Sequence, residues 1–347
     1  MAGQKSPRPE RLSPLRSIAL LMLMLAAAVP LQAASNEQSI EVVYKQTRTL
    51  RVFGEDERQP IHDTTQLPWS AIGRIESVWY RDGVTIMSTA TGTLIGNRVV
   101  LTGGHCIYDQ EDGWADQVAF IPGKNGDAEP FGRAYSVRNI TQRAWVEEGD
   151  SRYDLGMIVL DEPVGERAGF MSVAVESVAF FNQRTLNSAG YPGEVMPGDR
   201  PFYVFGQTLD FTDGLIRHML DSEPGQSGSP LWYLETESSD RRIVGVLTGT
   251  REVTVGGQLL ESYNVAVRIN EGFADWINET LSRYDTVVQD IAVGESSPTV
   301  QPACGAGLPG GAVMAILLLM MLSSLTVRYP RLQVRRRDAY NSTCPGG

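Results

Sequence analysis

Cysteine is rare in this chain. Its 347 residues include only Cys106, Cys304 and Cys344. Cys304 lies beside an apolar C-terminal run and Cys344 lies beyond it, so the three do not form the disulfide framework of a small exported domain. Folding must therefore depend on a hydrophobic core, and the length and the 42% hydrophobic content allow one large β domain or two smaller ones.

Basic charge is in deficit as well. The formal net charge is −11, and residues 35–327 carry 21 basic against 39 acidic side chains. Because such an acidic surface repels phosphate backbones, we expect no nucleic-acid partner. The chain also lacks a cluster with metal-ligand spacing, a Gly-rich phosphate loop and a dinucleotide fingerprint, so we expect neither a metal nor a cofactor.

Both ends of the chain carry targeting patterns. Residues 1–34 supply a basic region, the apolar run "IALLMLMLAAAVP" and a small-residue cleavage site, which is the order of a signal peptide; the alternative is an uncleaved membrane anchor. Residues 310–327 form a second apolar segment and residues 328–347 a basic tail, which by the positive-inside bias leaves the bulk of the protein outside the cytoplasm. The segment is short for a membrane span, so it is either a permanent anchor or a sorting signal that is later removed. We expect a protein that is secreted or held at the cell surface or in the periplasm.

The middle of the chain has a β pattern. Between residues 70 and 270, short apolar runs such as "DLGMIVL" and "RRIVGVLTG" alternate with Gly, Pro and Asp turns, which predicts an all-β sandwich or barrel. One helix follows at "NEGFADWINETLSRY", with Asn270 as its N-cap and Phe273, Trp276, Ile277 and Leu281 on one face. Residues 285–309 have the composition of a linker.

One short motif, "GQSGSP", raises the possibility of nucleophilic chemistry at Ser227. A serine hydroxyl needs a base to accept its proton, and the imidazole that serves as base needs a carboxylate to hold its tautomer. Of the three histidines, His105 directly follows the apolar strand in "RVVLTGGHC", whereas His62 and His218 are expected to have structural roles. Asp154 leads straight into the strand of "YDLGMIVL", so it can be partly buried and still face an imidazole.

The blocks "LTGGHC", "YDLGMIVL" and "GQSGSP" resemble the three catalytic blocks of trypsin-like serine endopeptidases, and "SAGYP" and residues 54–76 are most similar to the glutamyl endopeptidase branch. The resemblance covers about residues 52–284. It implies two antiparallel six-stranded β-barrels of the chymotrypsin type with a C-terminal helix. It also implies that His105 is the general base, that Asp154 orients it and that Ser227 attacks the scissile carbonyl, with the N–H groups of Gly225 and Ser227 as the oxyanion hole. Residues 35–51 would be a propeptide removed before Val52.

Three positions depart from this pattern. In trypsin an aspartate before the nucleophile pairs with the freed N-terminal amine, but here the residue is Gln226, a neutral amide that cannot form that ion pair. Many relatives have a disulfide at the position of Cys106, but the usual partner falls at Ala90, so we expect a free, buried thiol. Leu247 stands where glutamyl endopeptidases have a histidine for the substrate carboxylate, and Asp221 stands where trypsin selects Arg or Lys. Many members of the glutamyl branch also have an acid at the position of Asp221, so the choice between Arg or Lys and Glu before the cut stays open. We take a basic residue as the working hypothesis, in a pocket lined by Asp221, Ser222, Leu247, Thr248 and Thr250.

The main hypothesis is therefore an exported, monomeric serine endopeptidase that acts on proteins or peptides through an acyl-enzyme, with the membrane contacted only by its C-terminal segment. One alternative is a catalytically inactive relative that serves as a binding module at the cell surface. Another is an unrelated β-sandwich adhesin with a Ser/Gly turn. An activated Ser227 distinguishes the first hypothesis from the other two.

Overall fold

The computed structural model describes residues 41–45, 48–181, 184–193, 199–212, 214–235, 240–286, 289 and 292–293. The chain divides into two units, Met1–Glu295 and Ser296–Gly347, and all described residues lie in the first. The predicted signal peptide, the apolar segment at 310–327 and the basic tail therefore lie outside the described residues. In the part that the structure describes, no helix is long and apolar enough to cross a membrane.

The first half of the described chain forms a closed barrel. The strands of this half of the chain are β1 (Glu41–Tyr44), β2 (Gln59–Pro60), β3 (Ile72–Arg81), β4 (Val84–Leu94), β5 (Val99–Thr102), β6 (Tyr108–Asp109), β7 (Gly113–Trp114), β8 (Gln117–Pro122), β9 (Ala134–Thr141) and β10 (Gly156–Leu160), of which β6 and β7 form a separate two-stranded sheet. Six of them follow the order β4-β3-β8-β9-β10-β5, and β5 pairs back onto β4. The β3–β4 hairpin turns at Asp82-Gly83, both with positive φ, as a tight two-residue turn requires. In β3 the buried side chains alternate, whereas β10 is buried along its whole length.

The second half forms a second closed barrel. Its strands are β11 (Ser172–Val175), β12 (Thr185–Gly190), β13 (Phe202–Phe211), β14 (Leu215–His218), β15 (Pro230–Leu234), β16 (Arg241–Val255), β17 (Gln258–Arg268) and β18 (Ala292–Val293). Six of them follow the order β15-β12-β13-β14-β17-β16, and β16 pairs back onto β15. β2 pairs with β13, so the segment before the first barrel is attached to the second.

The helices are short except for one. They are α1 (Arg143–Glu148), α2 (Gly165–Ala168), α3 (Val178–Phe181) and α4 (Glu271–Tyr284). The predicted N-cap of α4 is confirmed, since Asn270 Oδ1 accepts the Phe273 N–H at 3.0 Å, and Phe273, Ile277 and Leu281 are buried. The folded unit continues beyond α4 into the stretch assigned to the linker, because β18 pairs with β11 and the buried Gln289 donates to the Met171 carbonyl.

These observations confirm the fold expected from the sequence, two six-stranded antiparallel barrels followed by a C-terminal helix. The long barrel strands have the β-branched and aromatic residues that fit a pleated, half-buried surface. The candidate residues lie on loops at strand ends, which is where a rigid scaffold holds functional side chains.

Candidate active site

His105 and Asp154 are in direct contact in the first barrel. His105 lies in a 3-10 turn, Gly104–Cys106, just after β5, and Asp154 lies just before β10, the strand that pairs with β5. The two side chains are 3% and 1% exposed. His105 Nδ1 is 2.8 Å from Asp154 Oδ2, and the His105 backbone N–H donates to Oδ1 at 2.8 Å. Asp154 thus fixes both the ring and the backbone of His105, and Nε2 is the ring nitrogen that Asp154 does not contact.

The environment of His105 favours the charged imidazolium. Burial lowers its pKa, but the charges and hydrogen bonds of Asp154 and Cys106 together outweigh burial and hold the pKa above its ordinary value. His105 Nε2 lies 3.7 Å from the thiol of Cys106. The thiol is free and buried, as the sequence predicted.

Ser227 lies on a loop of the second barrel that is fixed to the first by Thr91 of β4. The Thr91 N–H donates to the Ser227 carbonyl at 2.8 Å, and Thr91 Oγ1 donates to the Gly225 carbonyl at 2.9 Å. Thr102 at the end of β5 in turn donates to the Thr91 carbonyl. The strand that presents His105 is therefore linked by two hydrogen bonds to the serine loop.

Two glycines of the serine loop have no room for a side chain. Gly225 has φ 96°, and a Cβ there would be 2.4 Å from the Tyr191 carbonyl oxygen. Gly228 has φ 85°, and a Cβ there would be 2.1 Å from the Thr91 carbonyl oxygen. Both the backbone conformation and the close approach of another strand therefore require glycine.

The residues expected to bind substrate lie on β16 and on the segment after β14, and Leu247 packs in a hydrophobic core cluster. Asp221, Ser222, Leu247 and Thr248 are buried, and Thr250 is partly exposed. Both Asp221 oxygens accept backbone N–H groups of the N-terminal segment, from Phe53 at 2.7 Å and from Glu57 at 2.8 Å. The carboxylate that the sequence analysis compared with the specificity residue of trypsin thus contacts the chain around Val52.

Residues 41–45 and 48–51, which we call the N-terminal strap, run past the candidate site. β1 pairs in parallel with the start of β4, and Lys45 bonds to Asp109 at 3.0 Å and to Asp112 at 2.7 Å. Arg48 contacts Asp154 Oδ2 at 3.4 Å, and its guanidinium carbon is 5.0 Å from the centre of the Trp145 ring. One pocket is lined both by the strap, through Tyr44, Lys45 and Arg48, and by Gly193, Gly225 and Ser227.

Three further residues of the site could not be identified from the sequence. Thr91 joins the barrels, Asn264 binds both the N–H and the carbonyl of Arg51 through its side chain, and Arg58 bonds to Gln226 at 2.8 Å. Threonine and asparagine in strands carry no local signal of such a role. Gln226 did carry one, because a neutral residue before Ser227 cannot form the ion pair that holds this loop in trypsin.

The two remaining histidines lie apart from the His105–Asp154 pair. His62 is exposed, and its carbonyl accepts the Asn125 amide. His218 is fully buried in β14, where burial lowers its pKa to about 3, so its imidazole is neutral.

The chain forms two closed barrels, and the serine loop of one is attached to the strand that presents the His–Asp pair in the other. This arrangement defines a chymotrypsin-like serine protease. The Trypsin family model matches residues 59–277, and the chain belongs to this family of serine endopeptidases. It is 29% identical over 231 residues to a glutamyl endopeptidase of Bacillus licheniformis, which covers 65% of this chain and 69% of that protein. It is 28% identical over 241 residues to an extracellular metalloprotease of Bacillus subtilis, covering 66% and 70%.

A solved structure gives the same result for the fold. A Glu endopeptidase in complex with MPD is 25% identical, with a TM-score of 0.54, over 67% of this chain and 99% of that chain. The protease Anisep of Arthrobacter nicotinovorans, at 16% identity and a TM-score of 0.51, supports the fold alone. Among the described residues, no group of three or more His, Cys, Asp or Glu side chains is placed to hold a metal ion.

Proposed function

We propose that this protein is an exported serine endopeptidase whose triad is His105, Asp154 and Ser227. The observation that carries the proposal is the double contact of the buried Asp154 carboxylate with the ring and backbone of His105, on a strand linked to the Ser227 loop. A carboxylate in this position holds the Nδ1–H tautomer, so that Nε2 can accept a proton.

We propose the following reaction at these residues. Ser227 Oγ bonds to the scissile carbonyl carbon while His105 Nε2 takes the hydroxyl proton, and the carbonyl electron pair moves onto oxygen. The N–H groups of Gly225 and Ser227 stabilise that oxyanion; the loss of one such donor typically costs roughly 100-fold to 1000-fold in rate. The imidazolium then protonates the leaving amine as the C–N bond breaks. Water then attacks the carbonyl carbon of the resulting acyl-enzyme while His105 Nε2 takes a proton from the water. The imidazolium returns that proton to Ser227 Oγ as the ester bond breaks and the acid product leaves.

The proposed substrate pocket contains Asp221, Ser222, Leu247, Thr248 and Thr250. Buried Leu247 offers no hydrogen bond to a substrate carboxylate, which supports the preference for a basic residue before the cut over glutamate. The contacts of Asp221 with Phe53 and Glu57 add a second role, since they hold the segment around the proposed new terminus at Val52.

We further propose that the chain is made as a latent precursor. The strap belongs to the predicted propeptide, and its Arg48 contacts Asp154 while Tyr44 and Lys45 line the same pocket as Ser227. Cleavage after Arg51 would release the strap and open that pocket. Export by residues 1–34 and attachment through residues 310–327 complete the proposal, and a relative whose name includes "extracellular" supports export.

The test compares the wild type with Ser227→Ala in the full chain, before and after processing. Both are treated with a fluorophosphonate probe and with a peptide library that covers every residue before the cut. Ser229→Ala is the matched control, because its hydroxyl belongs to the same motif and has no hydrogen-bond partner in the described structure. Labelling and cleavage by the wild type and by Ser229→Ala, but not by Ser227→Ala, are expected. A processed wild type that neither cleaves nor labels would support the binding-module alternative.

A further inference from the structure

The guanidinium of Arg58 lies directly behind the serine loop. Its side chain is 1% exposed, and three side chains surround it. NH1 donates to Gln226 Oε1 at 2.8 Å, and NH2 contacts Glu223 Oε1 at 2.9 Å and Asp56 Oδ2 at 2.7 Å. Nε donates to Asp56 Oδ1 at 2.9 Å. The cation therefore contacts two residues of the serine loop, Glu223 and Gln226.

This cation remains charged in the folded protein. Burial lowers the pKa of Arg58, but the hydrogen bonds and charges of Asp56 and Glu223 outweigh burial and raise the pKa. A buried guanidinium is tolerated only when its donors are satisfied, and its planar fork suits several acceptors at once. Arg58 therefore acts as a fixed positive charge with a defined geometry.

The two loop residues that it contacts are the ends of a tight turn. The Gln226 N–H donates to the Glu223 carbonyl at 3.0 Å, and Gln226 Oε1 also accepts the Glu223 N–H at 3.0 Å. The middle residues are Pro224 and Gly225, and Gly225 has φ 96°. Proline followed by a positive-φ glycine is the pattern of a type II turn.

The direction of the central peptide decides whether the oxyanion hole exists. Type I and type II turns differ mainly by a flip of that peptide, which carries the Pro224 carbonyl and the Gly225 N–H. The Pro224 carbonyl accepts the Gly193 N–H at 2.6 Å, and the two groups of a trans peptide point in opposite directions. The Gly225 N–H therefore points away from Gly193 as long as the type II turn is kept.

We propose that Arg58 is the positioning residue of the oxyanion hole, a cation supplied by the folded chain where trypsin uses its freed terminal amine. The neutral amide of Gln226 cannot form the ion pair that trypsin has at this position, and it accepts a hydrogen bond from Arg58 instead. The inference rests on the proposed roles of Ser227 and Gly225. It implies that the hole is formed when the chain folds, and that cleavage after Arg51 opens access to it.

The experiment uses the full chain, with the wild type and every variant cut to the Val52 terminus by the same added protease. Arg58→Ala, Arg58→Lys and Gln226→Met are compared with Arg268→Ala, a control for the loss of a buried arginine that bonds to the Glu176 carbonyl instead. For each variant kcat and KM are measured with one peptide, together with the rate of fluorophosphonate labelling and the thermal unfolding midpoint. We expect Arg58→Ala and Gln226→Met to lower kcat by roughly 100-fold to 1000-fold with KM changed only a few-fold, as for a lost oxyanion donor. Arg58→Lys retains more activity than Arg58→Ala, and added guanidinium ion restores kcat of Arg58→Ala only.

A kcat within threefold of the wild type for either Arg58→Ala or Gln226→Met would overturn the inference, as would an equal loss of kcat in Arg268→Ala. If Arg58→Ala does not fold, Gln226→Met decides, because it keeps the cation and its two carboxylates. Failure of the proposed function can be distinguished from failure of this inference, because the wild type would then show neither cleavage nor labelling of Ser227. In that case the role proposed for Arg58 would be refuted together with the proposed function.

Discussion

Removal of the Arg48 side chain should weaken the proposed latency of the precursor. Arg48 is the strap residue that reaches the His105–Asp154 pair, through Asp154 Oδ2 at 3.4 Å, and it stacks over the buried ring of Trp145. Arg48→Ala deletes both contacts but leaves β1 and the Lys45 contacts in place. The strap should therefore still bind, but with a larger fraction of open molecules.

The size of the effect can be estimated from the two contacts. A cation–π contact of a half-exposed arginine contributes about 0.5–1 kcal/mol, and an ion pair whose cation is partly solvated adds roughly 0.2–1 kcal/mol. Together they stabilise the closed strap by about 1–2 kcal/mol, which corresponds to roughly a 5-fold to 30-fold change in the open fraction.

The assay is the rate of fluorophosphonate labelling of Ser227 in the intact chain, whose length is checked by mass. Arg48→Ala should label about 5-fold to 30-fold faster than the wild type, whereas the two should label equally after processing removes the strap. Arg143→Ala is the control, because it lies on the same helix as Trp145, is exposed and pairs with Glu147. Equal labelling of intact Arg48→Ala and intact wild type would refute the strap as the cause of latency.

Further predictions concern the chemistry and the fold. Asp154 holds the pKa of His105 above its ordinary value of about 6.5, and the proposed general base must lose its proton before it can act. In a pH–rate profile, kcat/KM should therefore keep rising with pH well above neutrality. Asp154→Asn should shift this rise to lower pH and reduce kcat about 10,000-fold. Gly225→Ala should lower kcat at least roughly 100-fold while the chain still unfolds cooperatively on heating, because its Cβ would displace the turn that holds the oxyanion donor. The pKa of His218 is lower in the folded than in the unfolded chain, so the unfolded chain binds a proton first as the pH falls. The free energy of unfolding should therefore decrease as the pH drops from about 6.5 toward 3. His218→Gln should make the free energy of unfolding in urea less dependent on pH, and an unchanged pH dependence would contradict this prediction.

The residues that the sequence identified are those whose role is signalled by the chain next to them. His105 follows a strand, Asp154 precedes one, and Ser227 lies among glycines that a close backbone approach requires. The α4 helix was equally accessible, because an N-cap and one apolar face are local features. Local patterns of this kind can be found without knowledge of the tertiary structure.

The residues that it missed act through contacts between distant parts of the chain. Arg58 and Gln226 are 168 residues apart, as are Phe53 and Asp221, and Thr91 and Gly225 are 134 apart. No periodicity or spacing indicates which arginine will lie behind a given loop, because closure of the two barrels decides it. Only the neutral residue at 226 indicated that this loop is held differently from that of trypsin.

Trypsin uses one cleavage both to activate the precursor and to form the oxyanion hole. In this protein the strap and the buried cation of Arg58 would separate access to the pocket from formation of the oxyanion hole. Arg48 and its neighbours cover the pocket from the front, where a cut after Arg51 can release them. Arg58 holds the serine loop from behind and is part of the folded unit on the other side of that cut. If the oxyanion hole is already formed beneath the strap, activation requires no rearrangement of the loop, and its rate is set by proteolysis and strap release alone. A precursor of this kind should gain activity in step with strap loss, without the slower structural phase that ordering a loop would add.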